Sequence, residues 1–271
     1  MRSTIEPLDD LGAKNARTYG TSKNGYKYER SCYSACTMIF GNIRPSKGSG
    51  RSESFSQGDR TRQKILAGAV NIAAREGLWP VTIGRLAKEL RMSKSGLIAH
   101  FGSKQALELA AVKTAWKLFK DAVLVPAQAK RRGIERLWSL CDLWLQHIER
   151  RVFSGPYFFT GTFLEYADQH GPVSGAVTRI AREWFDALQK AVEEAQEKGE
   201  IDPKAHPKQI AWQLNGLILG AHWAYLLKYR DCWREARPAL LGQLRKLATG
   251  EIPTRALTSE QNWKKYLQGK S

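Results

Sequence analysis

The chain has 271 residues, 42% of them hydrophobic, with 43 Lys and Arg against 26 Asp and Glu for a net charge of +17. That is enough chain for a substantial core, and the basic balance points to a polyanionic partner. No run of about 18 apolar residues and no apolar segment behind a basic start is present, so neither a membrane span nor a secretory signal is expected, and a cytoplasmic protein is.

Residues 1–59 are rich in Gly, Ser, Lys, Arg and Tyr without a sustained period, and read as a disordered basic extension, either a backbone-tracking arm or an uncommitted tail. Cys32 and Cys36 could share a helical face, but no His or third Cys stands near them, so no metal is expected. With Cys141 and Cys232 inside apolar patterns, the four cysteines suit reduced thiols better than a disulfide framework.

The pattern changes at Thr61. Ile65, Leu66, Ala69, Val70, Ile72 and Ala73 recur at helical spacing, Gly77 supplies a C-terminal cap and Pro80 forbids continuation. Thr82 caps a second helix with Ile83, Leu86, Ala87 and Leu90 as its buried stripe. Arg91 and Met92 make a turn, and Ser93 caps a short third helix with Leu97, Ile98 and Phe101 inward. Gly102 ends it, and Ser103 caps a fourth helix through Leu107, Ala111, Ala115 and Leu118, expected to close before Pro126.

The remainder also reads as helices: Gly133 to Arg151, an aromatic run at Tyr157, Phe158, Phe159 and Phe163 after a turn at Ser154-Gly155-Pro156, Val173 to Gly199, Pro207 to Tyr229 and Cys232 to Leu247. Pro238 is tolerable in the last only as a kink. The expected fold is all-α: a helix-turn-helix domain over 60–120 with its motif at 82–101, a helical domain over 127–249, and a mobile tail over 250–271.

Positive charge is densest around the motif, where residues 60–126 hold 12 Lys and Arg against 4 Asp and Glu. A helix that reads the major groove needs small residues facing the bases, donors for phosphates and apolar locks to its support. Ser95 and Gly96 are the small residues, Lys94 the basic reader, and Leu97 and Phe101 the locks, with Leu97 also counted in the DNA-binding set. His100 and Lys104 fall where the DNA backbone would pass, and the helix start at Thr82 offers N–H groups to another phosphate.

From Arg60 to about Lys120 these residues resemble the DNA-binding domain of the TetR-like (tetracycline-repressor-type, TetR/AcrR) transcriptional regulators. Ile65-Leu66, Ala69, Gly77, Thr82-Ile83, Leu86-Ala87, Ser93-Lys94, Leu97, His100-Phe101, Ser103-Lys104 and Ala106-Leu107 carry the likeness. GIERLWSLCDLWLQHIERRVFSG, GPVSGAV and LNGLILGAHWAY resemble one variety of the family's ligand-binding domain. Two positions depart from the pattern. The family usually has Gly where Arg91 stands, at a turn that often needs left-handed backbone, and often has an aromatic, commonly Tyr, where Ile98 stands.

The resemblance implies a homodimer paired through its last two long helices, reading a palindromic double-stranded operator, with repression relieved by a small effector and no cofactor. The sequence separately offers a dimer stripe at Leu214, Leu217, Ile218 and Ala221, with further apolar residues, Trp212, Leu219, Trp223 and Leu226, on other faces of the same helix. Trp138, Cys141, Trp144, Phe159, Phe163, Tyr166, Trp184 and Trp223 are candidates to line a pocket for a lipophilic or aromatic effector, or to be plain core.

Two other functions fit the composition. A non-specific architectural DNA protein would use the same basic head with strong salt dependence and no sequence preference. An enzyme would need a site such as Glu165, Asp168 and His170, but no nucleophile elbow, glycine-rich phosphate loop or HExxH motif accompanies them.

Overall fold

The computed structural model describes residues 56–149, 153, 158–229 and 232–250. The expectations for residues 1–55, with Cys32 and Cys36, for the Ser154-Gly155-Pro156 turn and Tyr157, and for the tail beyond Gly250 lie outside the described residues. What is described is helical, apart from short turns and one isolated bridge, Ile201 to Ala248.

Helix α1, Gln57–Glu76, begins before the expected boundary at residue 60 because Ser56 and Asp59 form a capping box. Ser56 Oγ accepts from Asp59 N at 3.1 Å, and Asp59 accepts in return from Ser56 N at 3.2 Å. Its buried stripe holds Ile65, Ala69, Val70, Ile72 and Ala73, as the spacing predicts, with Leu66 half-buried beside them. Gly68 lets α1 come close to the next helix: a Cβ there would already stand 3.2 Å from methyls of Leu86 and Leu90.

Helices α2, Ile83–Leu90, and α3, Lys94–Phe101, follow with their hydroxyl caps in place. Thr82 Oγ1 accepts from Arg85 N at 3.2 Å, and Ser93 Oγ from Gly96 N at 3.1 Å. Arg91 between them is left-handed, φ 54° and ψ 47°. The departure from Gly therefore keeps the turn geometry, at about 1–2 kcal/mol of Cβ strain.

Helix α4, Lys104–Phe119, is capped by Ser103 and is expected to close before Pro126. Instead the chain widens into a π turn, Lys120–Leu124, and continues as α5, Val125–Gln128, with Pro126 in its first turn. Val125 N bonds back to Lys120 O, five residues earlier, and that wider turn accommodates a proline ring that would clash in a regular α ladder. The boundary drawn between 120 and 127 thus falls within a continuous helical stretch.

The body is completed by α6, Ile134–Glu149, α7, Phe158–Tyr166, α8, Pro172–Glu197, α9, Pro207–Leu226, and α10, Cys232–Leu247. Half-buried ion pairs fix their mutual placement. Arg237 of α10 bonds Asp142 at 2.8 Å and Glu149 at 2.7 Å on α6, and Arg136 of α6 holds both carboxylate oxygens of the buried Glu194 on α8. Removing one member of such a pair would strand its partner in a poorly solvated site. Among the described residues no helix is long and apolar enough to cross a membrane.

Candidate nucleic-acid interface and the body behind it

The three helices of the head present one face of α3 outward. Lys94 and Ser95 are exposed, with Gly96 and His100 half-buried beside them, and Lys104 stands exposed at the start of α4. Lys94 runs its stem past α2, where a Cβ added to Gly84 would meet Lys94 Cε at 3.6 Å. Lys104 pairs with Glu108 at 3.3 Å, and the Thr82 hydroxyl is engaged in its cap, so Thr82 offers its exposed position and helix start rather than a free hydroxyl.

Two assignments change. Leu97 was placed in the DNA-binding set, but at 0% exposure it is sealed between the helices and touches no groove; it supports α3 as a lock. Ile98, expected inward, is 48% exposed. Leu97 and Phe101, four residues apart, share the buried arc, and Ile98, three on from Ser95, falls with it on the exposed one. An apolar side chain therefore stands on the outward face, where it can offer a methyl contact but no phosphate hydrogen bond.

Arg62, not singled out by the sequence, braces this helix. Its guanidinium donates to the carbonyl of His100 and lies 4.2 Å from the centroid of the Phe101 ring. It satisfies one of the carbonyls left open at the end of α3 and adds a cation–π contact. The TR dipeptide ahead of Ile65 was the available signal, but its target lies 38 residues on.

Head and body meet at a carboxylate clasp. Gly77 adopts φ 90° and ψ 174°, a region essentially reserved for glycine, and turns the N–H of Leu78 outward. Glu165 on α7 accepts that N–H at 2.7 Å, and a Cβ on Gly77 would overlap its carboxylate. Burial raises the Glu165 pKa, more than the N–H groups of Leu78 and Trp79 lower it. Next to it, Tyr166 hydrogen-bonds Glu108 of α4. A cleft of about 310 Å³ at this seam is lined by Trp79, Leu164, Glu165, Asp168 and Gln169. Glu165 and Asp168 both line it, but His170 is not among the lining residues and Glu165 is committed to backbone.

Behind the clasp the body is an aromatic cluster centred on Phe119. Its ring contacts Trp144 at 6.0 Å, His147 at 5.3 Å, Phe159 at 5.5 Å and Trp184 at 5.6 Å, all near-perpendicular. Trp144 and Trp184 meet at 4.5 Å, and Phe163 joins through Phe159. Thus Trp144, Phe159, Phe163 and Trp184 come together as expected, while Trp138 and Cys141 are buried on α6, the thiol pushed up to about 12 by burial. Tyr166 is committed to Glu108 at the seam. Trp223 does not belong to the cluster: it is 48% exposed on the outer face of α9. Trp116, Phe119, His147, Phe153 and Phe158 were missed; Trp116 and Phe119 could have been found by extending the Ala111–Ala115 stripe of α4.

The dimer stripe also changes. Leu214, Ile218 and Ala221 are buried against the chain's own helices, so they are core, and Leu217 is half-buried beside them. The outward apolar face of α9 is Trp212, 69% exposed, with Gly216, Gly220 and Trp223, and Leu227 follows exposed just past its end.

A capped basic helix held outward by two bracing helices, on an all-helical body with an aromatic interior, defines a helix-turn-helix DNA-binding protein with a second helical domain. The model of the bacterial regulatory proteins of the tetR family matches residues 65–111, and that of the tetracyclin repressor-like C-terminal domain matches residues 133–240. The chain belongs to this family of transcriptional regulators.

Solved structures share the fold. A TetR-family transcriptional regulator from Cytophaga hutchinsonii superposes with a TM-score of 0.64 at 19% identity, over 73% of this chain and 100% of its own. One from Chloroflexus aurantiacus gives 0.64 at 21% identity, over 70% and 97%. AibR, solved with isovaleryl coenzyme A and operator DNA, gives 0.51 at 23% identity, over 60% and 85%. No curated protein matches the chain.

Proposed function

We propose that this regulator works as a homodimer that reads a palindromic operator through α3 and releases it when a small lipophilic or aromatic effector enters the body. The observation that carries the DNA reading is the outward arc of Lys94, Ser95, Gly96 and Ile98 on a helix capped by Ser93, locked by Leu97 and Phe101 and braced by Arg62. His100 and Lys104 flank that arc as phosphate contacts. Two such helices related by a two-fold axis would lie about 34–36 Å apart, one DNA turn.

The outer face of α9 supports the dimer. Gly216 and Gly220 have open space where a Cβ would stand, between the exposed rings of Trp212 and Trp223. A second copy can bring a helix backbone close across the two glycines while the indoles are covered. The effector reading rests on the aromatic cluster, and α7 links it to the head, because Phe158 and Phe159 stand at one end and Glu165 at the other. Effector and operator then oppose one another through a reciprocal coupling of about 1–3 kcal/mol. This is binding chemistry, with no catalytic step.

Selection from a random DNA pool with the full chain, followed by titration of the winner at two salt concentrations, tests the reading. A palindromic winner bound far above bulk DNA, by a species sedimenting as a dimer, is expected. Uniform, salt-sensitive binding with no winner would make it an architectural DNA protein.

A further inference from the structure

Two buried polar side chains in the aromatic interior lack hydrogen-bond partners among the described residues. His147 is 6% exposed, and neither Nδ1 nor Nε2 is bonded. Thr162 is 1% exposed with Oγ1 unbonded. A buried polar group left unpaired is unfavourable, and a folded protein carries few of them. Elsewhere in the body Arg136 Nε is also unbonded, but on a guanidinium whose other nitrogens are paired, while Trp184 Nε1 donates to Asn215 Oδ1 at 3.0 Å and Thr160 Oγ1 meets His222 Nδ1 at 3.1 Å.

The two are joined by rings. His147 stands 5.0 Å from Phe153 and 5.3 Å from Phe119, centroid to centroid, with both ring pairs edge to face. Phe153 contacts Phe158 at 5.4 Å, and Thr162 lies one helical turn beyond Phe158 on α7. The half-buried rings of Trp144 and Phe159 leave part of the cluster open to solvent.

The chemistry of the pair narrows what can satisfy it. Burial lowers the His147 pKa to about 4, so at neutral pH the imidazole presents one N–H donor and one bare nitrogen. Thr162 can donate or accept. Among the described residues, the buried carboxylates of Asp142 and Glu194 are already matched, by Arg237 and Arg136, and offer no free counter-ion to a charged guest. The rings that meet His147 edge to face offer an aromatic guest the same contact geometry.

We propose that His147 and Thr162 are the polar readers of the effector site, and that the effector is an uncharged aromatic molecule bearing a hydroxyl or an equivalent donor–acceptor group. This rests on the body being an effector domain. It adds the ligand's class, and it assigns a binding role to two residues that would otherwise be poorly satisfied core.

The test titrates the full chain with 2-naphthol, naphthalene and 2-naphthalenesulfonate, followed by tryptophan fluorescence and by thermal melting. The wild type is expected to bind 2-naphthol at least about tenfold more tightly than naphthalene, the effect of one buried hydrogen bond made or left unmade, and to reject the sulfonate. His147→Phe and Thr162→Val should each bring 2-naphthol down to the level of naphthalene while melting, unliganded, no lower than wild type. Thr162→Val carries the test if His147→Phe does not fold. Equal binding of naphthol and naphthalene, a preference that survives the folded variants, tightest binding of the sulfonate, or no binding of any probe would each overturn the proposal. DNA selection needs no ligand, so it fails or succeeds independently: naphthol binding without a selected operator would sink the regulator reading and leave this site standing.

Discussion

The head and the body of this protein solve the burial of polar groups in opposite ways. In the head, the helix starts are satisfied by local hydroxyls three residues away, at Ser56, Thr82, Ser93 and Ser103, and the one strained turn, at Arg91, sits on the surface. The body uses long-range partners, such as Arg237 with Asp142 and Trp184 with Asn215, and leaves His147 and Thr162 open at its centre. A head built on local bonds keeps its shape whatever the body does. A body with an unfinished polar interior is one whose state a ligand can change. The Gly77–Glu165 clasp lies where the two meet.

The sharpest way to break this contrast is to damage the head's lock. Leu97→Ala removes a fully buried side chain between three helices and should destabilise by about 2–5 kcal/mol in urea unfolding, with DNA binding lost alongside. A smaller loss would mean that α3 is held mainly by Arg62 and its cap.

Acid should act on the body. A His whose pKa is lowered from 6.5 to about 4 by burial binds fewer protons folded than unfolded between those values. Its contribution is complete above pH 6.5 and is lost as pH falls, at about 1.4 kcal/mol per unit across the window. His147→Phe should flatten that slope. An unchanged slope would place the acid sensitivity elsewhere.

The clasp gives an intermediate effect with its own control. Gly133, φ 101°, repeats the arrangement inside the body, where Glu200 accepts from Ile134 N at 2.7 Å and a Cβ on the glycine would overlap the carboxylate. Gly77→Ala and Gly133→Ala should each cost about 1–3 kcal/mol of stability. Only Gly77→Ala should also change operator affinity in the folded protein, because only that clasp joins the head. Equal effects on DNA would deny the clasp a role in transmission. The smallest change, Ser93→Ala, removes one cap and should cost about 1 kcal/mol, read as a shift in urea midpoint.

The contrast also explains which parts could be read in the sequence. Caps, turns and the stripe of α1 are written within three or four residues, so the motif appears where the spacing places it. Ile98 was misjudged because a two-turn helix gives too few apolar residues to fix the buried arc. Glu165 lies 87 residues from the N–H it holds, and no local pattern announces it. Helix α9 is apolar nearly all round, so sequence cannot choose between the face with Leu214 and Ile218 and the face with Trp212 and Trp223; packing does. The aromatic cluster draws on α4, α6, α7 and α8, which is why a list of aromatic residues found about half of it and included Trp223, which lies outside it.

The central claim is that the outward arc of α3 reads bases. It is tested most directly by measuring wild type, Lys94→Ala and Ser95→Ala on the selected operator and on a set of single base-pair variants of it, at fixed salt. The account predicts that one of the two substitutions abolishes discrimination at particular symmetric positions, worth about 1–3 kcal/mol each, and leaves the others intact. Uniform weakening on every sequence, with only the salt dependence reduced, would contradict it.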